Sequence, residues 1–165
     1  MYKRQSLHRL VSRLAAGPNC PLPPDVVAIA LTYAEARSQA LDPRRCVVVH
    51  GDPAGQNTLR VRAPRPGAVG GYVFVDPDGF FGDPAYDLGV VLREWGEQLL
   101  AGDATALARS YCRLIAERTG MDADAIWQWG FLERVSTGLF AHSFGADDLA
   151  RPFLDSARAL ARGLG

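Results

Sequence analysis

The chain has 165 residues, 48% of them hydrophobic, and its 18 basic and 18 acidic side chains cancel to a formal charge of zero. That length buries one respectable core, and a neutral balance lacks the positive field that drives nucleic-acid binding, so no nucleic-acid partner is expected. The 3 cysteines are widely spaced with no C-x-x-C pair, and no apolar run approaches the roughly 18 residues of a membrane span, so the expectation is a cytoplasmic protein with no membrane partner.

Leu7, Leu10, Val11 and Leu14 recur at helical spacing until Gly17-Pro18 stops the helix, with Ser6 and His8 turned to solvent. After a proline-rich connector, Asp25 is placed to cap a second helix carrying Val26, Val27, Ile29, Ala30, Leu31 and Ala34, which Asp42-Pro43 ends. Short strands are expected at 46–49, 58–61 and 72–75, with the proline- and glycine-rich stretch 63–71 as a surface turn. From Tyr86 the period is helical again, Leu88, Val91, Leu92 and Trp95 sharing one apolar face, and three further helices cover about 104–118, 123–141 and 149–160. The reading is one α+β domain from about residue 5 to residue 162, mainly helical with a few short strands.

The chemistry concentrates after the first strand. Val47-Val48-Val49 delivers His50-Gly51-Asp52 and, five positions past the aspartate, Asn57 to one loop, and Asp76 ends the strand Tyr72-Val73-Phe74-Val75. Phosphoryl transfer needs a group that accepts or orients the attacking hydroxyl and oxygen ligands for the magnesium carried by the nucleotide. Asp52 suits the first role, with a loop or capping carboxylate as the alternative. Asn57 and Asp76 suit the second, because hard Mg²⁺ takes one or two carboxylates plus phosphate oxygens and water. His50 has no H-x-x-x-H partner and reads as a loop-shaping imidazole, while Gly51 permits a backbone geometry that other residues resist. Asp78 is read either as a contact for a cationic substrate or as part of the Asp78-Gly79 turn, and Asp83 as a helix cap. Glu133 is read as an exposed carboxylate paired with an arginine or as a substrate contact, and Trp127 as core or as a wall of the same cleft.

His50-Gly51-Asp52 with Asn57, then Val75-Asp76-Pro77-Asp78-Gly79 and Gly82-Asp83-Pro84-Ala85-Tyr86-Asp87-Leu88, resemble the C-terminal lobe of the aminoglycoside and hydroxyurea antibiotic-resistance kinases, the streptomycin 6-phosphotransferase branch of the protein-kinase-like fold. Phe131 to Leu139 also resembles the helix that closes the substrate side there. The resemblance implies ATP-dependent phosphorylation of a small-molecule hydroxyl on an aminoglycoside such as streptomycin, with Asp52 as base and Asn57 and Asp76 as magnesium and nucleotide ligands. His50, Gly51, Asp83 and Asp87 would support the loop, Asp87 by accepting its backbone amides. Hydroxyurea is the alternative acceptor, and a non-catalytic binding or regulatory lobe is the alternative function. A metal-dependent phosphohydrolase is a third reading. No G-x-G-x-x-G precedes Val47 and Lys3 is the lone lysine, so the nucleotide lobe is expected to be absent from this chain. The chain alone is therefore expected to fold but to turn over little, and to self-associate weakly or depend on a complementary N-terminal lobe.

Overall fold

Proline and glycine set most element boundaries in the computed structural model, which describes residues 3–68 and 70–164 and, among these, side chains from Leu7 onward except at Val69. Helix α1, Lys3–Ala15, ends ahead of Gly17-Pro18 and buries Leu7 and Val11. His8 is half-buried, and the side chain of Ser6 lies outside the described residues. Helix α2, Pro24–Gln39, opens on a proline, whose missing N–H costs nothing in a first turn. Asp25 sits inside that turn and makes no side-chain cap; the cap position is Pro23.

Four three-residue strands follow: β1 Val47–Val49, β2 Thr58–Arg60, β3 Tyr72–Phe74 and β4 Phe80–Gly82. They form two separate antiparallel pairs, β1 with β4 and β2 with β3, in which Val48 lies opposite Phe81 and Leu59 opposite Val73. Strand β4 is not among the expected elements. Backbone bonds just past the ends of β2 and β3 keep the same antiparallel register, Val61 donating to the Gly71 carbonyl and Val75 to the Asn57 carbonyl, each at 2.9 Å.

The helical part comprises α3 Ala85–Val90, α4 Gly96–Leu100, α5 Ala104–Thr119, α6 Ala123–Ser143 and α7 Asp147–Arg162, with a 3₁₀ turn at Val91–Glu94 between α3 and α4. The continuous helix expected over Leu88 to Trp95 is therefore broken. In an unbroken helix the Leu92 carbonyl would accept from residue 96. Instead it accepts from the Trp95 amide at 3.2 Å and from the Arg134 guanidinium on α6, and Trp95 leaves helical geometry at φ −90, ψ 35. Asp103 and Asp122 cap α5 and α6 by accepting the amides of Ala106 and Asp124, and Gly120 ends α5 in the left-handed region.

Helix α6 is apolar on every side and is buried accordingly, from Ala125 to Ser136 with the exception of Gln128. It packs on α1, α2, α3, α5 and α7. It meets α3 backbone to backbone, where a Cβ on Gly89 would lie 2.7 Å from the Gly130 nitrogen and one on Gly130 3.0 Å from the Gly89 carbonyl oxygen. The architecture is mixed α+β, mainly helical with a few short strands, and two helices precede β1. Among the described residues no helix is long and apolar enough to cross a membrane.

The Gly89–Gly130 crossing leaves no room for a methyl group against backbone atoms. Gly89→Ala is expected to destabilise the fold by roughly 1–3 kcal/mol, the usual cost of overpacking. Gly102→Ala, whose Cβ would meet nothing within 4 Å, serves as the neutral control. Urea unfolding reads both, and equal midpoints would mean that α3 and α6 are not held backbone to backbone.

Candidate active site

The loop after β1 is held from beneath by one carboxylate. Val49 is buried at 3% exposure, and the next two amides turn inward, where Asp87 of α3 accepts both: His50 N–H on Oδ2 at 2.7 Å and Gly51 N–H on Oδ1 at 2.9 Å. The His50 ring completes the turn. Its Nε2 donates to the Val75 carbonyl at 3.0 Å, and its Nδ1 accepts the Asp52 amide at 3.2 Å, a tautomer assigned from these partners. The His50 carbonyl accepts the Gly79 amide at 3.2 Å, so one residue joins the two loops. Gly51 has φ 90, and a Cβ there would lie 2.7 Å from the Asp78 Cβ. Both the backbone geometry and the space require glycine.

On that base Asp52 and Asn57 face each other. The Asn57 amide nitrogen donates to the Asp52 main-chain carbonyl at 2.9 Å and to Asp52 Oδ2 at 3.0 Å, which directs the amide oxygen of Asn57 away from the aspartate. The Val75 amide bond to the Asn57 carbonyl brings the start of the Asp76 loop alongside. Asp76 is exposed and is the lone described non-glycine residue at positive φ, 56°. Among the described residues no group of three or more His, Cys, Asp and Glu could hold a metal ion. One carboxylate and one amide oxygen, completed by phosphate oxygens and water, is nonetheless a donor set that Mg²⁺ accepts. Asp78 is exposed and packs over Gly51. Asp83 accepts the Ala85 amide at 3.0 Å at the start of α3, and its other oxygen accepts the Trp129 indole N–H at 2.9 Å, pinning that helix end to α6.

Two candidates for substrate contact do not face the loop. Trp127 is 1% exposed; its indole N–H donates to the Tyr33 hydroxyl at 3.1 Å and its ring carries the Arg109 guanidinium, so it belongs to the core between α2 and α5. Glu133 is 4% exposed and points inward, accepting the Tyr86 hydroxyl at 2.5 Å and lying 3.7 Å from Arg93. Burial, with Glu133 beside it, pushes the Tyr86 hydroxyl far up, so Tyr86 stays a donor.

Arg93, in the 3₁₀ turn, is the residue that the sequence reading missed. Its Nη2 bonds Asp52 Oδ1, and its Nη1 and Nε lie 3.7 Å from Glu133 and 3.6 Å from Glu94. The available signal was an arginine in the apolar run Leu88 to Trp95, since a charge that a buried turn takes inside needs a partner. Two shallow grooves flank the loop. One, of about 530 Å³, has Leu59, Val61, Val73 and Val75 with Arg60, Arg62 and Arg65 along it; the other, of about 350 Å³, lies between β1, Phe74 and the Leu88–Val91 side of α3.

A family model described as APH, phosphotransferase enzyme family, matches residues 6–125. No curated protein and no solved structure matches the chain.

The Asp87 carboxylate accepts two consecutive amides of this turn. Asp87→Ala is expected to cost about 1–3 kcal/mol, the penalty of unsatisfied buried donors, and to speed hydrogen exchange at His50 and Gly51 selectively. Exchange at those two amides no faster than at the β1 amides would remove Asp87 from its place under the loop.

Proposed function

The chain belongs to the APH phosphotransferase enzyme family, and from that premise we propose that it is the catalytic lobe of an ATP-dependent kinase for a hydroxyl group of a small molecule, an aminoglycoside such as streptomycin. The observation that carries this reading is the pairing of Asp52 with Asn57 on a loop whose backbone is fixed by Asp87 and His50. Asp52 has an oxygen acceptor at 30% side-chain exposure, open enough for a hydroxyl to reach. Asp76 and the amide oxygen of Asn57 would hold Mg²⁺, which when bound supplies positive charge to the phosphate oxygens of the nucleotide.

The reaction asks little covalent chemistry of the protein. Asp52 accepts the proton of the acceptor hydroxyl as its oxygen bonds to the γ-phosphorus, the bond from that phosphorus to the β–γ bridging oxygen breaks, and ADP leaves. The apolar side of the β2–β3 pair, with Leu59, Val73 and Val75 near Asn57 and Asp76, suits the base of the nucleotide. Exposed carboxylates at Asp78 and Glu94 favour a cationic acceptor. A second lobe is part of this proposal. Val48, Phe74 and Phe81 are 77%, 58% and 51% exposed on the two strand pairs, and a nucleotide-binding lobe, encoded upstream in a longer reading frame or supplied by a partner, would cover them.

Two experiments test the reading. With a two-lobe form, ATP and Mg²⁺, mass spectrometry should find one added phosphoryl group on streptomycin or a related aminoglycoside, and residues 1–165 alone should give little turnover. Transfer to hydroxyurea instead, or to no acceptor, would overturn the acceptor assignment. In the same form Asp52→Asn should lower kcat by roughly 10²–10⁴-fold with nucleotide affinity largely kept, whereas Asp76→Ala should weaken Mg-nucleotide binding. Equal loss of nucleotide affinity in both variants would contradict that division of roles.

A further inference from the structure

We propose that Arg93 is a positioning residue of the phosphotransfer site, holding one oxygen of the Asp52 carboxylate while Asn57 holds the other; the inference rests on the reading of Asp52 as the group that accepts the proton. An aspartate side chain at a half-buried loop position samples several rotamers unless donors on separate elements fix it. Here the two donors come from opposite sides, the Asn57 amide at 3.0 Å from Oδ2 and the Arg93 guanidinium on Oδ1. Each carboxylate oxygen accepts more than one hydrogen bond, so both contacts leave room for a hydroxyl.

Arg93 is itself held in place. Its side chain is 15% exposed, and Glu133 and Glu94 stand on its remaining sides. Burial works against its charge, but the Asp52 bond and the two glutamates outweigh it and keep the guanidinium charged. Glu133 is anchored in turn by the Tyr86 hydroxyl, and the carbonyl just before Arg93, that of Leu92, accepts from Arg134. Two consecutive residues of α6 thus clamp the turn, one through the Arg93 side chain and one through the Leu92 backbone. The result is a chain of contacts, Tyr86–Glu133–Arg93–Asp52, that carries the rigidity of the core helix out to an otherwise mobile side chain. Phosphoryl transfer depends on such placement, and a displacement of about 1 Å costs on the order of 10²-fold in rate.

The test uses the two-lobe form for activity and the 165-residue chain for the contact itself. Arg93→Ala should lower kcat on the order of 10²-fold with the KM for nucleotide little changed, methylguanidinium should restore part of the loss, and Arg93→Lys should retain more activity than Arg93→Ala. In an Asp52→Asn background Arg93→Ala should cause no further loss. Should Arg93→Ala fail to fold because Glu133 loses its neighbouring positive charge, Arg93→Ala with Glu133→Gln removes the buried negative charge and is measured in its place. Unchanged kcat, absence of rescue, or a loss that multiplies with that of Asp52→Asn would overturn the proposal. Independently of turnover, an Asp52→Asn and Arg93→Gln unfolding cycle in the 165-residue chain should show coupling; additive effects would overturn the contact. A two-lobe protein inactive toward every acceptor, with coupling present, would instead overturn the kinase reading and the catalytic role drawn from it here, and leave Arg93 a structural ion pair.

Discussion

The backbone contact between Gly89 and Gly130 is the constraint on which the arrangement of the site depends. With no side chain on either residue, α3 settles against the main chain of α6, with a would-be Cβ at 2.7–3.0 Å from backbone atoms of the other helix. Three of the side chains behind the loop hang from α3 or from the turn after it. Asp87, two residues before Gly89, reaches the His50 and Gly51 amides; Tyr86, one residue earlier, reaches Glu133; Arg93, four residues later, reaches Asp52. A larger separation of the helices would move all three together, because their side chains project from one short segment.

Helix α6 contributes charge as well as bulk. Glu133 and Arg134 are adjacent and buried in the middle of an apolar helix, a placement that adds little net stability even when paired and costs roughly 3–5 kcal/mol when one partner is removed. Burial lowers the Arg134 guanidinium only to about 10, so it keeps its charge at neutral pH and spends it on the Leu92 carbonyl and the Ser156 hydroxyl, the latter at 2.5 Å. These two bonds join α6 to the 3₁₀ turn and to α7. An all-aliphatic helix would pack as tightly but would let the turn slide along it; the Arg134 hydrogen bond to the Leu92 carbonyl and the Glu133–Arg93 ion pair fix its position.

The helices were legible because their signals are local. Periodic apolar residues and flanking glycine or proline gave α1, α2, α5, α6 and α7 to within a few residues, and the five-residue spacing of Asp52 and Asn57 placed both on one loop. What was not legible depends on distant partners. Strand β4 has three residues, two of them phenylalanines beside glycine, and is a strand because β1 pairs with it. The break after α3 comes from an arginine 42 residues away in sequence, and the Asp52–Arg93 contact spans 41 residues. The exposed reading of Glu133 failed for another reason. A helix apolar on all sides has no moment to say which face looks outward, so a carboxylate on it can be read as exposed when it is enclosed.

Asp76 carries one further consequence. Its backbone at φ 56 is a conformation in which glycine is at ease and an aspartate is tolerated at some cost. Glycine there would remove the backbone cost and, with it, the negatively charged oxygen at the loop tip. At this one position the residue easiest on the backbone and the residue proposed for chemistry are different, so the loop tip carries a conformational cost that glycine would relieve.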